Sequence, residues 1–148
     1  GMTQKTSNNN NEFLISFFLP DGMIDWFEVV STIEEPNTGI TKADVLYNSI
    51  LNIYLDERDS DQCEQLGLKP NGFTEPTVIK DYPIRNRKVL LHVRRRRYLD
   101  ADGRNVIVNQ YPLTADGTKV SVEFGAFFKD DDGEPSVNGE CLREILSY

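Results

Sequence analysis

The most concentrated chemistry in this 148-residue chain is the run Arg94–Arg97, four arginines in a sequence of formal net charge -8. The stretch from Lys80 to Arg104 holds nine Lys or Arg against three acidic residues, whereas the rest of the chain holds seven basic and 21 acidic residues. Guanidinium groups donate paired hydrogen bonds to anionic oxygens, so this stretch could bind phosphates. The charge of the chain is bipolar, and its basic part is the first candidate for a binding surface.

Three interpretations of the arginine run are open. The arginines could project from a strand and contact DNA phosphates, while His92 and Tyr98 stack on bases or touch the DNA backbone. They could form salt bridges with the chain's own acids or protect an edge strand from aggregation. They could also dock onto an acidic face of another protein. The first interpretation requires guanidinium groups that face water without a partner.

The acidic and nucleophilic residues do not form a catalytic set. The segment Asp56–Asp61 resembles half of a calcium-binding loop, but it lacks the later glycine and the bidentate glutamate of such loops. His92 is the one histidine of the chain, and Cys63 and Cys141 do not have the spacing of zinc ligands. The sequence contains no Gly-rich phosphate-binding loop. We therefore expect no enzyme activity, no metal site and no other cofactor.

Hydrophobic patterns predict the elements that would position these residues. Residues 94–97 continue a strand that contains Val89, Leu91 and Val93, and the turn at 100–103 leads into a returning strand over 105–111, which makes a basic β-hairpin. Residues 58–72 are polar and are predicted to form a loop. Further strands are predicted at 26–33, 49–57 and 77–80. One amphipathic helix is predicted from the apolar stripe of Phe13, Leu14, Phe17 and Phe18. A second is predicted at 120–129, with Thr118 as its N-cap.

These elements predict one α+β domain over residues 12–129. We expect an antiparallel four- to five-stranded sheet with the basic hairpin and with two amphipathic helices packed on one face. Residues 1–11 are expected to be a disordered leader with Gly1 as a tag remnant, and residues 130–148 an acidic loop with a short C-terminal helix. The apolar run 13–19 is too short to cross a membrane, which favours the cytoplasm.

In order and spacing, several of these segments resemble the N-terminal region of bacterial insertion-sequence transposases, the part that precedes a DDE-type catalytic part. The resemblance covers roughly residues 12–129, and its most specific pieces are DYPIRNRKVLLHVRRRRY (81–98) and GTKVSVEFGAFFK (117–129). Related transposases carry a cysteine-bearing zinc knuckle directly after a similar basic strand. Here residues 98–103 contain no cysteine, so the resemblance implies a fold without metal.

The resemblance implies a non-catalytic accessory domain that binds DNA at the ends of a mobile element. The alternative is a protein-interaction module that docks onto the separately encoded catalytic polypeptide. The oligomeric state is left open. The residues predicted to contact DNA are Arg85, Arg87, Lys88, His92, Arg94, Arg95, Arg96, Arg97, Tyr98 and Arg104 of the basic stretch and Lys119 at the start of the last helix.

Overall fold

The computed structural model describes residues 11–38, 47–108, 111–114 and 118–130. Mixed α and β structure is present, as predicted, with more of the described residues in strands than in helices and with only short helices. The helices are α1 (residues 11–16), α2 (Met23–Trp26), α3 (Asp61–Gln65) and α4 (Val122–Asp130). The strands are β1 (Phe27–Pro36), β2 (Ser49–Glu57), β3 (Lys69–Phe73), β4 (Thr77–Ile84), β5 (Arg87–Arg94), β6 (Arg96–Leu99) and β7 (Asn105–Val106).

Four strands form the first sheet, in the order β1-β2-β5-β4. Strands β2 and β5 are rich in branched aliphatic residues, which suit a pleated and buried surface. Their alternate residues, Ile53 and Leu55 on β2 and Leu91 and Val93 on β5, face one core. Three buried residues close this core: Leu19 before α2, Met23 in α2 and Phe27, the first residue of β1.

The first sheet is mixed, which corrects the predicted antiparallel sheet. β1 pairs with β2 and β4 pairs with β5 in antiparallel fashion, but β2 and β5 run parallel, with Ile53 opposite Leu91. Parallel neighbours need a long crossover connection. Residues 58–86 supply it, and they carry α3, β3 and β4. Hydrophobic alternation identifies a strand but does not give the direction of its neighbour, so the sequence pattern missed the parallel pair.

Arg95 divides the predicted basic strand into β5 and β6, which belong to different sheets. β6 lies between β3 and β7 in a three-stranded second sheet whose pairs are antiparallel. At the division the backbone N–H of Arg95 donates to Thr74 Oγ1 at 3.0 Å, and the N–H of Thr74 donates to the Arg95 carbonyl at 2.8 Å. The chain therefore leaves the first sheet at the arginine run and enters the second.

Residues 58–72, predicted to be a loop, contain α3 and β3 instead. The buried side chain of Cys63 fixes α3 against the second sheet, and Leu68 donates its backbone N–H to the Cys63 carbonyl at 2.9 Å. β3 has the sequence KPNGF, with Gly72 at a φ of +73° where its pairing with β6 is irregular. Pro, Asn and Gly are unfavourable strand residues, so this strand depends on tertiary pairing rather than on local propensity.

The two predicted amphipathic helices differ from expectation in detail. The N-terminal stripe is largely solvent-exposed, with Phe13 and Phe17 at 68% and 69%, and the chain is anchored by Leu19 instead. The C-terminal helix is capped by Ser121, whose Oγ accepts a hydrogen bond from the Phe124 N–H at 3.3 Å, rather than by Thr118. No helix within the described residues is long and apolar enough to span a membrane. All of the predicted leader (1–11) except residue 11, and all of the predicted acidic loop and C-terminal helix (130–148) except residue 130, lie outside the described residues.

Candidate nucleic-acid interface

Arg94 is held at the end of β5 by an internal carboxylate. Its Nε and Nη2 atoms donate to the two carboxylate oxygens of Asp56 on β2, at 2.7 and 2.6 Å. The guanidinium also lies 4.4 Å from the ring centre of Phe73. The hydrogen bonds to Asp56 raise the pKa of Arg94 above its usual range. Arg94 thus has the partner that the salt-bridge interpretation predicts, and it joins β5, β2 and β3.

The guanidinium groups of Arg95 and Arg96 lie at the same corner, where each bonds a neutral backbone carbonyl and contacts an aromatic ring. Arg95 Nη2 donates to the carbonyl of Tyr111 at 2.5 Å, and its guanidinium lies 6.0 Å from the ring of Phe27. Burial lowers the pKa of Arg95. Arg96 Nε donates to the carbonyl of Glu57 at 2.8 Å, and its backbone N–H donates to the carboxylate of the same residue at 2.7 Å. We therefore assign Arg94, Arg95 and Arg96 a structural role.

Tyr98 is completely buried, so its placement is incompatible with the predicted contact to nucleic acid. Its hydroxyl donates to Asp59 Oδ1 at 3.3 Å and interacts with Cys63. Burial raises the pKa of Tyr98 well above its usual value. The side chain instead fixes α3 and the 58–60 turn onto the second sheet.

Arg87, Lys88 and His92 lie along β5 in the first sheet and away from β6. Arg87 Nε donates to Glu34 Oε2 on β1 at 2.5 Å, and hydrogen bonds from Ser49 and Arg87 lower the pKa of Glu34. His92 is half-buried, and burial lowers its pKa. Lys88 is likewise half-buried. These three residues do not extend the surface on which Arg97 lies.

The second sheet carries a compact group of polar and cationic side chains on one face. Arg97 and Leu99 point to the same face of β6, and Lys69 and Asn105 pair with Leu99 from either side. Arg104 is exposed in the turn between β6 and β7, where Gly103 has a φ of +77°. Asn71 Nδ2 donates to Asn105 Oδ1 across this surface. We call Lys69, Asn71, Arg97 and Asn105, together with Arg104 in the adjoining turn, the basic face.

Arg97 has an unsatisfied donor at the centre of the basic face. Its Nε is buried and has no hydrogen-bond partner within the described residues. Gly72 lies beside the guanidinium, where an added Cβ would make only an ordinary contact with Arg97 Nη2, at 3.8 Å. Buried polar groups are nearly always satisfied, so this N–H is an exception, and because Nε is buried a ligand would contact other atoms of the half-buried guanidinium.

Lys69 and Arg104 are also cations of the basic face without a carboxylate partner. No ion pair is found at either side chain among the residues that the structure describes. Asp100, at the start of the turn, accepts hydrogen bonds at Oδ1 from the backbone N–H groups of Asp102 and Arg104, at 2.9 Å each, so this oxygen is used in the turn. The positive charge of Lys69 and Arg104 is available to an anionic ligand.

The remaining predicted contacts lie elsewhere. Arg85 is exposed in the turn between β4 and β5 with a φ of 59°, and Lys119 is exposed just before α4. Strand β5 is about 23 Å long, because each step between neighbouring residues of a strand advances roughly 3.3 Å. Arg85 and Arg97 lie beyond opposite ends of that strand, so one short ligand does not contact both.

Sequence reasoning missed three residues of the basic face. Lys69, Asn71 and Asn105 were not among the predicted contacts, because residues 58–72 were predicted to be a loop and Asn105 carries no charge. The turn-forming triplet Pro70-Asn71-Gly72 conceals the strand. The alternation of Lys69 and Asn71 about Pro70 is the one sequence signal for a strand here, and it covers only three residues.

No family model matches this sequence, and no curated protein and no solved structure is significantly similar to the chain. The described residues contain no group of three or more His, Cys, Asp or Glu side chains arranged to hold a metal ion.

Proposed function

We propose that this chain is a non-catalytic DNA-binding accessory domain that contacts DNA phosphates through the basic face. The observation that carries the proposal is a group of three cations, the half-buried Arg97 and the exposed Lys69 and Arg104, for which no carboxylate partner is found within the described residues. Phosphate oxygens, like carboxylates, accept paired hydrogen bonds from a guanidinium group. The amides of Asn71 and Asn105 add neutral donors and acceptors of the kind found at sugar and phosphate contacts.

The proposed interface is smaller than the arginine run suggests. Three cations, Lys69, Arg97 and Arg104, replace the longer set of predicted phosphate contacts. If each neutralises one phosphate, log K falls with log salt with a slope of about -2.7. The net charge of -8 opposes association with a polyanion, so binding is modest and is strongest at low salt. Together with the resemblance, the basic face predicts a cytoplasmic protein that binds the ends of a mobile element. Its phosphate contacts would set the position of the protein along the DNA.

Fluorescence anisotropy of a labelled duplex, measured at several salt concentrations, tests the proposal. The intact chain should bind at low salt with the slope given above. Arg97→Gln should weaken binding and reduce the magnitude of the slope by about 0.9. Arg87→Gln is a matched control that removes one positive charge from the first sheet, and it should leave the slope unchanged. Absence of binding at low salt, or equal losses in the two variants, contradicts the proposal.

A second candidate function, docking onto another polypeptide such as a separately encoded catalytic transposase, is favoured by a different observation. Strand β1 is an edge of the first sheet, and it presents Val30 and Ile33 at about half exposure. Exposed apolar side chains on an open strand edge are typical of surfaces that pair with another chain. Co-purification of this chain with that polypeptide, expressed together, is the direct test.

A further inference from the structure

Strand β1 provides an open edge in the first sheet. β1 and β4 occupy the two ends of the strand order. The β4 edge is covered, because Lys80 exchanges backbone hydrogen bonds with Lys119 and Ser121, at 2.8 Å each. In the part of the chain that the structure describes, no further strand pairs with the outer side of β1. Nine of its ten residues are exposed or half-buried, so an extended segment could reach its backbone.

A groove on the face of the first sheet begins at β1 and crosses β2 to β5, and its β1 rim supplies apolar surface for such a segment. A cavity of about 360 Å³ extends from Val30 and Ile33 to Pro76 and is floored by Tyr54 and His92. The two rings stack with their centroids 4.3 Å apart and an angle of 17° between their planes. Sites that hold small ligands have volumes of about 300–1,000 Å³, so this groove is large enough for side chains of a bound segment.

The floor of the groove is fixed by hydrogen bonds. His92 Nε2 lies 2.7 Å from Asn52 Oδ1, and Asn52 Nδ2 donates to Glu35 Oε1 at 3.2 Å. The Asp56 carboxylate at the other end is bonded by Arg94. Because these groups are already paired, a ligand side chain meets a preformed surface, and less ordering is needed on binding.

Acidic residues flank the groove on β1. Glu28 is opposite Asp56 and Glu35 is opposite Ile50, on the face that also carries Ile33. If two copies of the chain paired β1 with β1 in antiparallel fashion about the middle of the strand, Glu28 of each copy would face Glu35 of the other. Like charges directly opposite one another destabilise a strand pair. Charge complementarity therefore favours a basic partner over a second copy.

We propose that the β1 edge and its groove bind an extended segment of a partner protein in which basic residues flank apolar side chains. The main chain of the segment pairs with β1, its apolar side chains pack on Val30 and Ile33 at the rim of the groove, and its basic side chains face Glu28 and Glu35. The inference rests on the second candidate function and is independent of DNA binding by the basic face.

A designed peptide tests this proposal with the intact chain. The probe is the capped peptide Lys-Thr-Leu-Thr-Leu-Thr-Lys, whose alternate residues place lysine and leucine on one face of a strand. One control peptide replaces both lysines by glutamate. A second control keeps the charges but carries N-methyl groups on the backbone, which prevent strand pairing. Affinities are measured by calorimetry, and hydrogen exchange of the β1 amides reports where the peptide binds.

Matched protein variants locate the interaction. Ile33→Lys places a charge in the groove at a half-exposed position, and Leu66→Lys makes the same change at an exposed position after α3. Thermal unfolding of both variants checks that the fold is retained. The double variant Glu28→Lys/Glu35→Lys reverses the flanking charges.

The proposal predicts that the lysine peptide binds and protects the β1 amides, and that both control peptides bind at least about tenfold more weakly. Ile33→Lys should weaken binding by at least about tenfold, Leu66→Lys should not, and the double variant should prefer the glutamate peptide. Equal binding of the N-methylated peptide, or no effect of Ile33→Lys, overturns the proposal. Self-association of the chain through β1 in sedimentation experiments makes a second copy the occupant and also overturns it. If the peptide tests fail but the co-expressed polypeptide still co-purifies with this chain, the second candidate function is retained and only the β1 site is wrong.

Discussion

Truncation of Arg94 is predicted to destabilise the fold rather than to remove a DNA contact. Arg94→Ala deletes both hydrogen bonds to Asp56 and the contact with the Phe73 ring. It leaves a carboxylate whose side chain is only 12% exposed. Removing one partner of a fully buried ion pair costs about 3–5 kcal/mol. Because the Arg94 side chain is 43% exposed and water can reach the vacated space, we expect about 2 kcal/mol.

Urea unfolding measured by circular dichroism gives this free energy directly. The single variants Arg94→Ala and Asp56→Asn and their combination form a double-mutant cycle, which should show a coupling energy of about 1 kcal/mol or more. Arg87→Ala is the matched control, because its partner Glu34 is exposed, and it should change stability less. If Arg94→Ala unfolds at the same urea concentration as the wild type, the structural role that we assign to Arg94 is wrong.

Three further predictions concern buried polar groups. Burial raises the pKa of Asp81, so the protonated form of its carboxyl group is favoured in the folded state. Stability should therefore fall as the pH rises from about 4 through that raised pKa. Asp81→Asn should remove this loss and raise the melting temperature at pH 7. Ser121→Ala removes the cap of α4 and the hydrogen bond to Asp81 at 2.7 Å, and it should cost about 1–2 kcal/mol in urea unfolding. Burial also raises the pKa of Tyr98, so stability should decrease above about pH 10, and Tyr98→Phe should reduce that decrease in alkaline melting experiments.

The sequence predicted the parts of the fold that depend on local pattern. β2 begins and ends at the predicted residues, and Val89, Leu91 and Val93 are buried together as their alternation indicated. The returning strand of the predicted hairpin is only two residues long within the described part, and its pairing with β6 is antiparallel. Hydrophobic alternation is a local signal, which is why the strands in the core were the ones predicted well.

Features that depend on distant partners were not predictable from local pattern. β3 has few strand-forming residues and exists because β6 offers it a partner. The division at Arg95 depends on Thr74, 21 residues earlier in the chain. The same limitation applies to the candidate site. Four consecutive arginines look equivalent in sequence, yet Arg94 pairs with Asp56, whereas the half-buried guanidinium of Arg97 has no carboxylate partner within the described residues. Only the tertiary structure separates a structural arginine from one that a ligand can reach.

The most direct test of the basic face compares two double variants that remove the same amount of positive charge. Lys69→Gln/Arg104→Gln neutralises two cations of the basic face, and Arg85→Gln/Lys119→Gln neutralises two exposed cations outside it. In duplex titrations followed by anisotropy, the first variant should have a salt slope of about -0.9 and much weaker binding, and the second should retain a slope of about -2.7. Equal slopes for the two variants, or a larger loss in the second, would show that the basic face is not where DNA binds.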